Sequence, residues 1–141
     1  MKLDNKLQAY YITAIISLVF AVVGFSYNAW RLEATEDNNN IRTASFEVLK
    51  ELAALEQIVY SAHYDKDSIE GNPRKGWIKV GLIVDLSSLI SPSVEKRSLD
   101  LKNTWSNTWQ KIATEQAPTI ALTKDIDSVR REIKKALNNL D

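Results

Sequence analysis

Leu7 to Trp30 reads LQAYYITAIISLVFAVVGFSYNAW, 24 residues without an Asp, Glu, Lys, Arg or His. A helix of about 20 apolar residues, rising about 1.5 Å each, spans the roughly 30 Å hydrocarbon core of a bilayer. Tyr10 and Tyr11 lie at its start and Tyr27 and Trp30 at its finish, so amphipathic rings fall at both headgroup levels. This segment decides where the remaining residues reside. A cleaved secretory signal has an apolar run of about 7–15 residues and a small-x-small cleavage site. The run here is longer, and Tyr27-Asn28-Ala29-Trp30-Arg31-Leu32 offers no such site, so the segment reads as an uncleaved signal-anchor.

Charge next to the span sets its expected orientation. The tail, residues 1–6, carries Lys2, Lys6 and the amine against Asp4. Beyond the span stand Arg31, Glu33, Glu36, Asp37 and Arg42. Juxtamembrane cations favour the cytoplasm and acidic residues count for little. The small bias places the tail inside and the following domain outside, which in a bacterium means the inner membrane and the periplasm.

Within the anchor, Ala14, Ser17, Ala21, Gly24 and Asn28 recur at spacings of three, four, three and four. Small residues on one face let membrane helices approach closely, and Asn28 adds a polar group. A period near 3.5 suits a left-handed crossing. The seam is the candidate contact surface for another membrane protein or a second copy of the chain.

The remaining residues are enough for one modest core. Residues 31–40 read as a helix extension broken by Glu36-Asp37-Asn38-Asn39-Asn40, with one of the Asn residues capping the next helix. From Ile41 to about Tyr64 an apolar stripe recurs through Ile41, Val48, Leu52, Leu55, Val59 and Ala62, widened by Ala44, Leu49 and Ile58. Asp65 to Gly76 is a polar loop. Its Asp65-x-Asp67 opening suggests calcium, but Ile69, Glu70 and Gly76 stand where an EF-hand needs an oxygen ligand, Gly and Glu.

Trp77 to Ile90 is apolar and too short to span a bilayer. No second strand candidate exists to pair with it, so it is expected to be the buried central helix of a bundle, with Gly81 allowing a close contact. Ser91-Pro92 starts another helix as N-cap and first residue, with Glu95 in its first turn. That helix is expected to reach Glu115, with Val94, Leu101, Trp105, Thr108 and Ile112 along one face. Pro118 is expected to end it and open the last, about Thr119 to Leu140. There Leu122, Ile126, Val129, Ile133, Ala136 or Leu137, and Leu140 form the cleanest seam in the chain. The expected fold is all-α: a single N-terminal transmembrane helix, then an antiparallel bundle of about four helices over residues 41–141.

Composition narrows the chemistry. Lys plus Arg equals Asp plus Glu at 18 each, which argues against a general nucleic-acid binder. Absence of Cys excludes disulfides, thiolate nucleophiles, Cys-ligated zinc and covalently attached haem. His63 is the only histidine and Met1 the only methionine, too few for axial haem ligation or a di-iron site. It is expected at a helix end, near the C-terminal dipole. No phosphate-binding Gly motif or nucleophile elbow occurs, and the acidic pairs Asp65/Asp67 and Glu36/Asp37 sit in polar segments. No enzyme activity, metal or cofactor is expected. Trp30 is interfacial; Trp77, Trp105 and Trp109 are expected in the bundle core, with a ligand pocket between helices as the alternative.

The expectation is a non-enzymatic accessory or interaction subunit of a membrane assembly, its partners the bilayer and a membrane protein. The alternative is a membrane-anchored ligand-binding sensor module working through a partner. In architecture alone, a helical bundle on a membrane anchor resembles the input domains of bacterial chemoreceptors and sensor kinases.

Overall fold

The computed structural model describes residues 2–140 and is all-helical over them, with 86% helix, four α-helices and no strand. Met1 of the expected tail and Asp141 of the expected bundle lie outside the described residues. The helices are α1 (Lys2–His63), α2 (Pro73–Ser87), α3 (Pro92–Thr108) and α4 (Gln116–Asn138), with a 3-10 turn at Trp109–Lys111. The chain forms two compact units, one ending at Asn38 and the other beginning at Asn39.

The first unit is helical over its described residues. Residues 2–6 of the expected tail are part of α1. The expected break at Glu36–Asn40 is absent, because α1 runs through it. Asp and Asn each cost an interior helix position less than about 1 kcal/mol, and neither Gly nor Pro is present to break it. Helical residues on both sides then carry the segment cooperatively. Thr35 and Thr43 turn their hydroxyls back onto the carbonyls of Arg31 and Asn39.

The second unit has one core. From α1 come Ala44, Val48, Leu52, Leu55, Ile58 and Val59; from α2, Val80 and Ile83; from α3, Val94, Leu101 and Trp105; from α4, Leu122, Ile126, Val129 and Ile133. Ile90 and Ile112 close the gaps between helices. Each buried Leu or Ile contributes about 1.5–3 kcal/mol relative to exposure. α3 packs against both α2 and α4. The core stripes expected on α1, α3 and α4 are found except at their edges: Ile41, Leu49, Ala62, Thr108, Ala136 and Leu137 are half-buried, and Leu140 lies beyond the end of α4, outside the core.

Helix α2 departs from expectation. It begins at Pro73, four residues before Trp77, because Asn72 Oδ1 accepts the Arg74 amide at 2.9 Å and Pro73 occupies the first turn. Only Gly76, Val80, Ile83 and Ser87 are buried, so α2 is no central helix; Trp77, Ile78, Leu82 and Leu89 are exposed. The close contact expected at Gly81 is found at Gly76. A β-carbon on Gly81 would meet nothing within 4 Å, whereas one on Gly76 would stand 2.1 Å from Cη2 of Trp105.

Ser91 caps α3 as expected, its Oγ accepting the Val94 amide at 3.2 Å. The helix stops at Thr108, short of Glu115, and the 3-10 turn follows. There the Ile112 and Ala113 carbonyls are taken from outside the helix, by His63 Nδ1 and Lys66 Nζ. Pro118 neither ends α3 nor starts α4. It sits third in α4, where its missing N–H removes no helical bond.

Side chains tie distant segments together. Arg130 Nη2 lies 2.6 Å from Glu56 Oε2, and Lys79 Nζ 2.6 Å from Glu51 Oε2. Ser87 and Ser98 hydroxyls share a buried hydrogen bond at 2.6 Å. Ser93 donates to Glu132 at 2.7 Å, and Arg42 donates to the Leu140 carbonyl at 3.1 Å.

Candidate functional site

Two features qualify, one in each unit. In the first, α1 is the one described helix long and apolar enough to cross a membrane, and none of its apolar window is buried. Tyr10, Tyr11, Tyr27 and Trp30 are all exposed on α1, and the rings of Tyr27 and Trp30 lie 6.2 Å apart. Unbroken helix aligns Ala14, Ser17, Ala21, Gly24 and Asn28 on one face, all exposed. A β-carbon on Gly24 would meet nothing within 4 Å, so the seam has room for a close neighbour.

The second feature is a cavity of about 270 Å³ between the end of α1, the loop that follows it and the end of α3. Ile58, Ala62, Trp105, Trp109 and Ile112 form its apolar wall. Lys66, Asp67, Ser68 and Gln110 add polar groups.

The loop that shapes this cavity is held firmly. Lys66 adopts a left-handed backbone at φ 54°, and its ammonium donates to the Ala113 carbonyl. Asp67 accepts the amides of Ile69 at 2.8 Å and Glu70 at 3.0 Å. These bonds hold its carboxyl below the usual range, Glu70 first, then Ile69. Gly71 must be glycine, since a β-carbon would come 2.5 Å from the Ala62 backbone. Asp65 and Asp67, read from the sequence as a failed calcium opening, therefore lie in a loop where Asp67 acts as a backbone acceptor.

His63 stands at the end of α1. A carbonyl only accepts, so its Nδ1 donates to Ile112 O at 2.7 Å. The three tryptophans expected in the core separate. Trp105 is buried and its Nε1 has no hydrogen-bond partner; Trp109 is half-buried on the cavity; Trp77 is exposed, its ring edge-on to Trp105 at 6.3 Å. The cavity's polar side chains Lys66 and Asp67 are committed to backbone partners. Ser68 and Gln110 leave a polar edge on an otherwise apolar, aromatic recess. Among the described residues, no three His, Asp or Glu side chains gather as metal ligands would.

No protein-family model, curated protein or solved structure matches this chain.

Proposed function

We propose that this is a non-enzymatic, single-pass membrane protein acting as an accessory or interaction subunit of a membrane assembly. Its N-terminus is cytoplasmic, and an antiparallel bundle of four helices stands in the periplasm on an inner-membrane anchor. One observation carries the reading: an uncharged 24-residue stretch of α1 exposes all its side chains and sets Ala14, Ser17, Ala21, Gly24 and Asn28 along one face. An exposed apolar surface of that extent suits a bilayer, and the small residues suit a neighbouring helix. The test is co-purification of membrane partners with the full chain and with Ala14→Leu or Gly24→Leu. Leucine on the seam is expected to abolish co-purification while the protein stays in the membrane fraction; undiminished co-purification overturns the reading. Reporter fusions after α4 test orientation, with activity only in the cytoplasm refuting the periplasmic placement.

A ligand-binding sensor module is the second reading, favoured by the cavity that Trp105 and Trp109 line. It takes an apolar, flat molecule of small size. Thermal shift of the full chain in detergent against a panel including indole and naphthalene tests it, since a ligand bound only to the folded state raises the midpoint. No shift with any member counts against sensing.

A further inference from the structure

Trp105 and Trp109, four residues apart in sequence, wall the cavity of about 270 Å³ together with Ile58 and Ile112. A cavity of about 150 Å³ takes one benzene ring, so this one has room for two fused rings. Its loop side is already tied in place. Lys66 latches the loop to the Ala113 carbonyl from a left-handed backbone, and Gly71 lies so close to the Ala62 backbone that no side chain fits between them. Filling the cavity therefore costs little loop ordering.

The polar groups on the cavity differ in what they have left to offer. Lys66 and Asp67 line it with opposite charges, so the local field selects neither an anion nor a cation. Asp67 is occupied by the Ile69 and Glu70 amides. Gln110 is different: it is exposed on the cavity edge, and its side chain has no hydrogen-bond partner among the described residues. A primary amide presents an acceptor oxygen and N–H donors side by side. Its complement is a second amide held cis in a ring, with C=O and N–H on one edge. We propose that the cavity binds a neutral, flat, two-ring lactam, its rings against Trp105 and Trp109 and its C=O and N–H paired with the Gln110 amide. Aromatic faces and edges supply the contact inside, and the amide pair fixes the orientation at the mouth. The inference rests on the sensor-module reading of the same cavity and names its ligand class.

Naphthalene and carbostyril test it, since both have two fused rings and only carbostyril carries a lactam edge. Each is titrated by calorimetry into the full chain and into Gln110→Leu in the same detergent, so that partition of a probe into micelles cancels between the two proteins. Gln110→Leu is expected to weaken carbostyril about tenfold, for two lost hydrogen bonds. Naphthalene is expected to bind both proteins alike, which also verifies that the variant keeps its cavity. Naphthoate, with the same rings and a negative charge, is expected to bind the native chain more weakly than carbostyril. Naphthalene binding with carbostyril indifferent to Gln110→Leu, or naphthoate binding more tightly than carbostyril, overturns the lactam assignment and leaves the sensor reading standing. Binding of neither naphthalene nor carbostyril overturns both.

Discussion

The six-membered ring of Trp105 occupies the space that a side chain at Gly76 would need. Its Cη2 and Cζ2 would stand 2.1 and 2.2 Å from a β-carbon there. Trp105 is 1% exposed, so the ring has nowhere free to retreat. Gly76→Ala should destabilise the helical domain by about 1–3 kcal/mol through overpacking. Gly81→Ala, five residues along the same helix but facing open space, should stabilise it by up to about 1 kcal/mol from helix propensity. Urea unfolding of both variants in detergent, followed by circular dichroism, checks the opposite signs.

Two helices start by the same device. Asn72 Oδ1 and Ser91 Oγ each accept an amide of the first turn, and a proline follows each. Asn72→Ala and Ser91→Ala should each cost about 1 kcal/mol, while Asn72→Ser should recover most of the loss. Thermal midpoints give the ranking.

Arg130 grips Glu56 across the domain at 2.6 Å, and both side chains are mostly buried. The hydrogen bond to Glu56 leads in raising the Arg130 pKa above its ordinary value, with Asp127 supporting. Removing either partner should cost about 1.5–3 kcal/mol, and the double Ala variant should cost less than the two single losses together. A double-mutant cycle measures the coupling.

Acid should weaken the domain through two carboxylates. The Glu70 and Ile69 amides lower the Asp67 pKa, and Lys135 first, then Ser93, lower that of Glu132. Each folded value lies below the unfolded one, so in acid the unfolded state binds more protons and stability falls with pH. The contribution is present above the ordinary values of 3.8 and 4.5 and is lost as pH drops through the lower folded values. Asp67→Asn should flatten that part of a stability profile taken from pH 6 to about pH 2.

The stripes on α1, α3 and α4 were legible because each buries a single face at helical spacing. Helix α2 was misread because apolar residues on both of its sides blurred the spacing that separates the covered face from the open one. Asn72-Pro73 carries the start signal recognised at Ser91-Pro92, but Gly71 and Gly76 around it imitate a loop. The unbroken helix through Asn38–Asn40 follows from its neighbours rather than from its own residues. Of the candidate sites, the anchor is local in sequence and readable. The cavity joins Ile58, Asp67 and Trp105, and no local pattern connects three such separated positions.

The long-range ties also order events during synthesis. Arg42 reaches the Leu140 carbonyl and Glu56 reaches Arg130, so the apolar stripe of α1 is made first and covered last. At about 5–20 residues per second, the ribosome leaves Val48, Leu52 and Leu55 uncovered for several seconds before α4 exists. A nascent chain stalled before Gln116 should therefore recruit holding chaperones that the complete protein no longer needs.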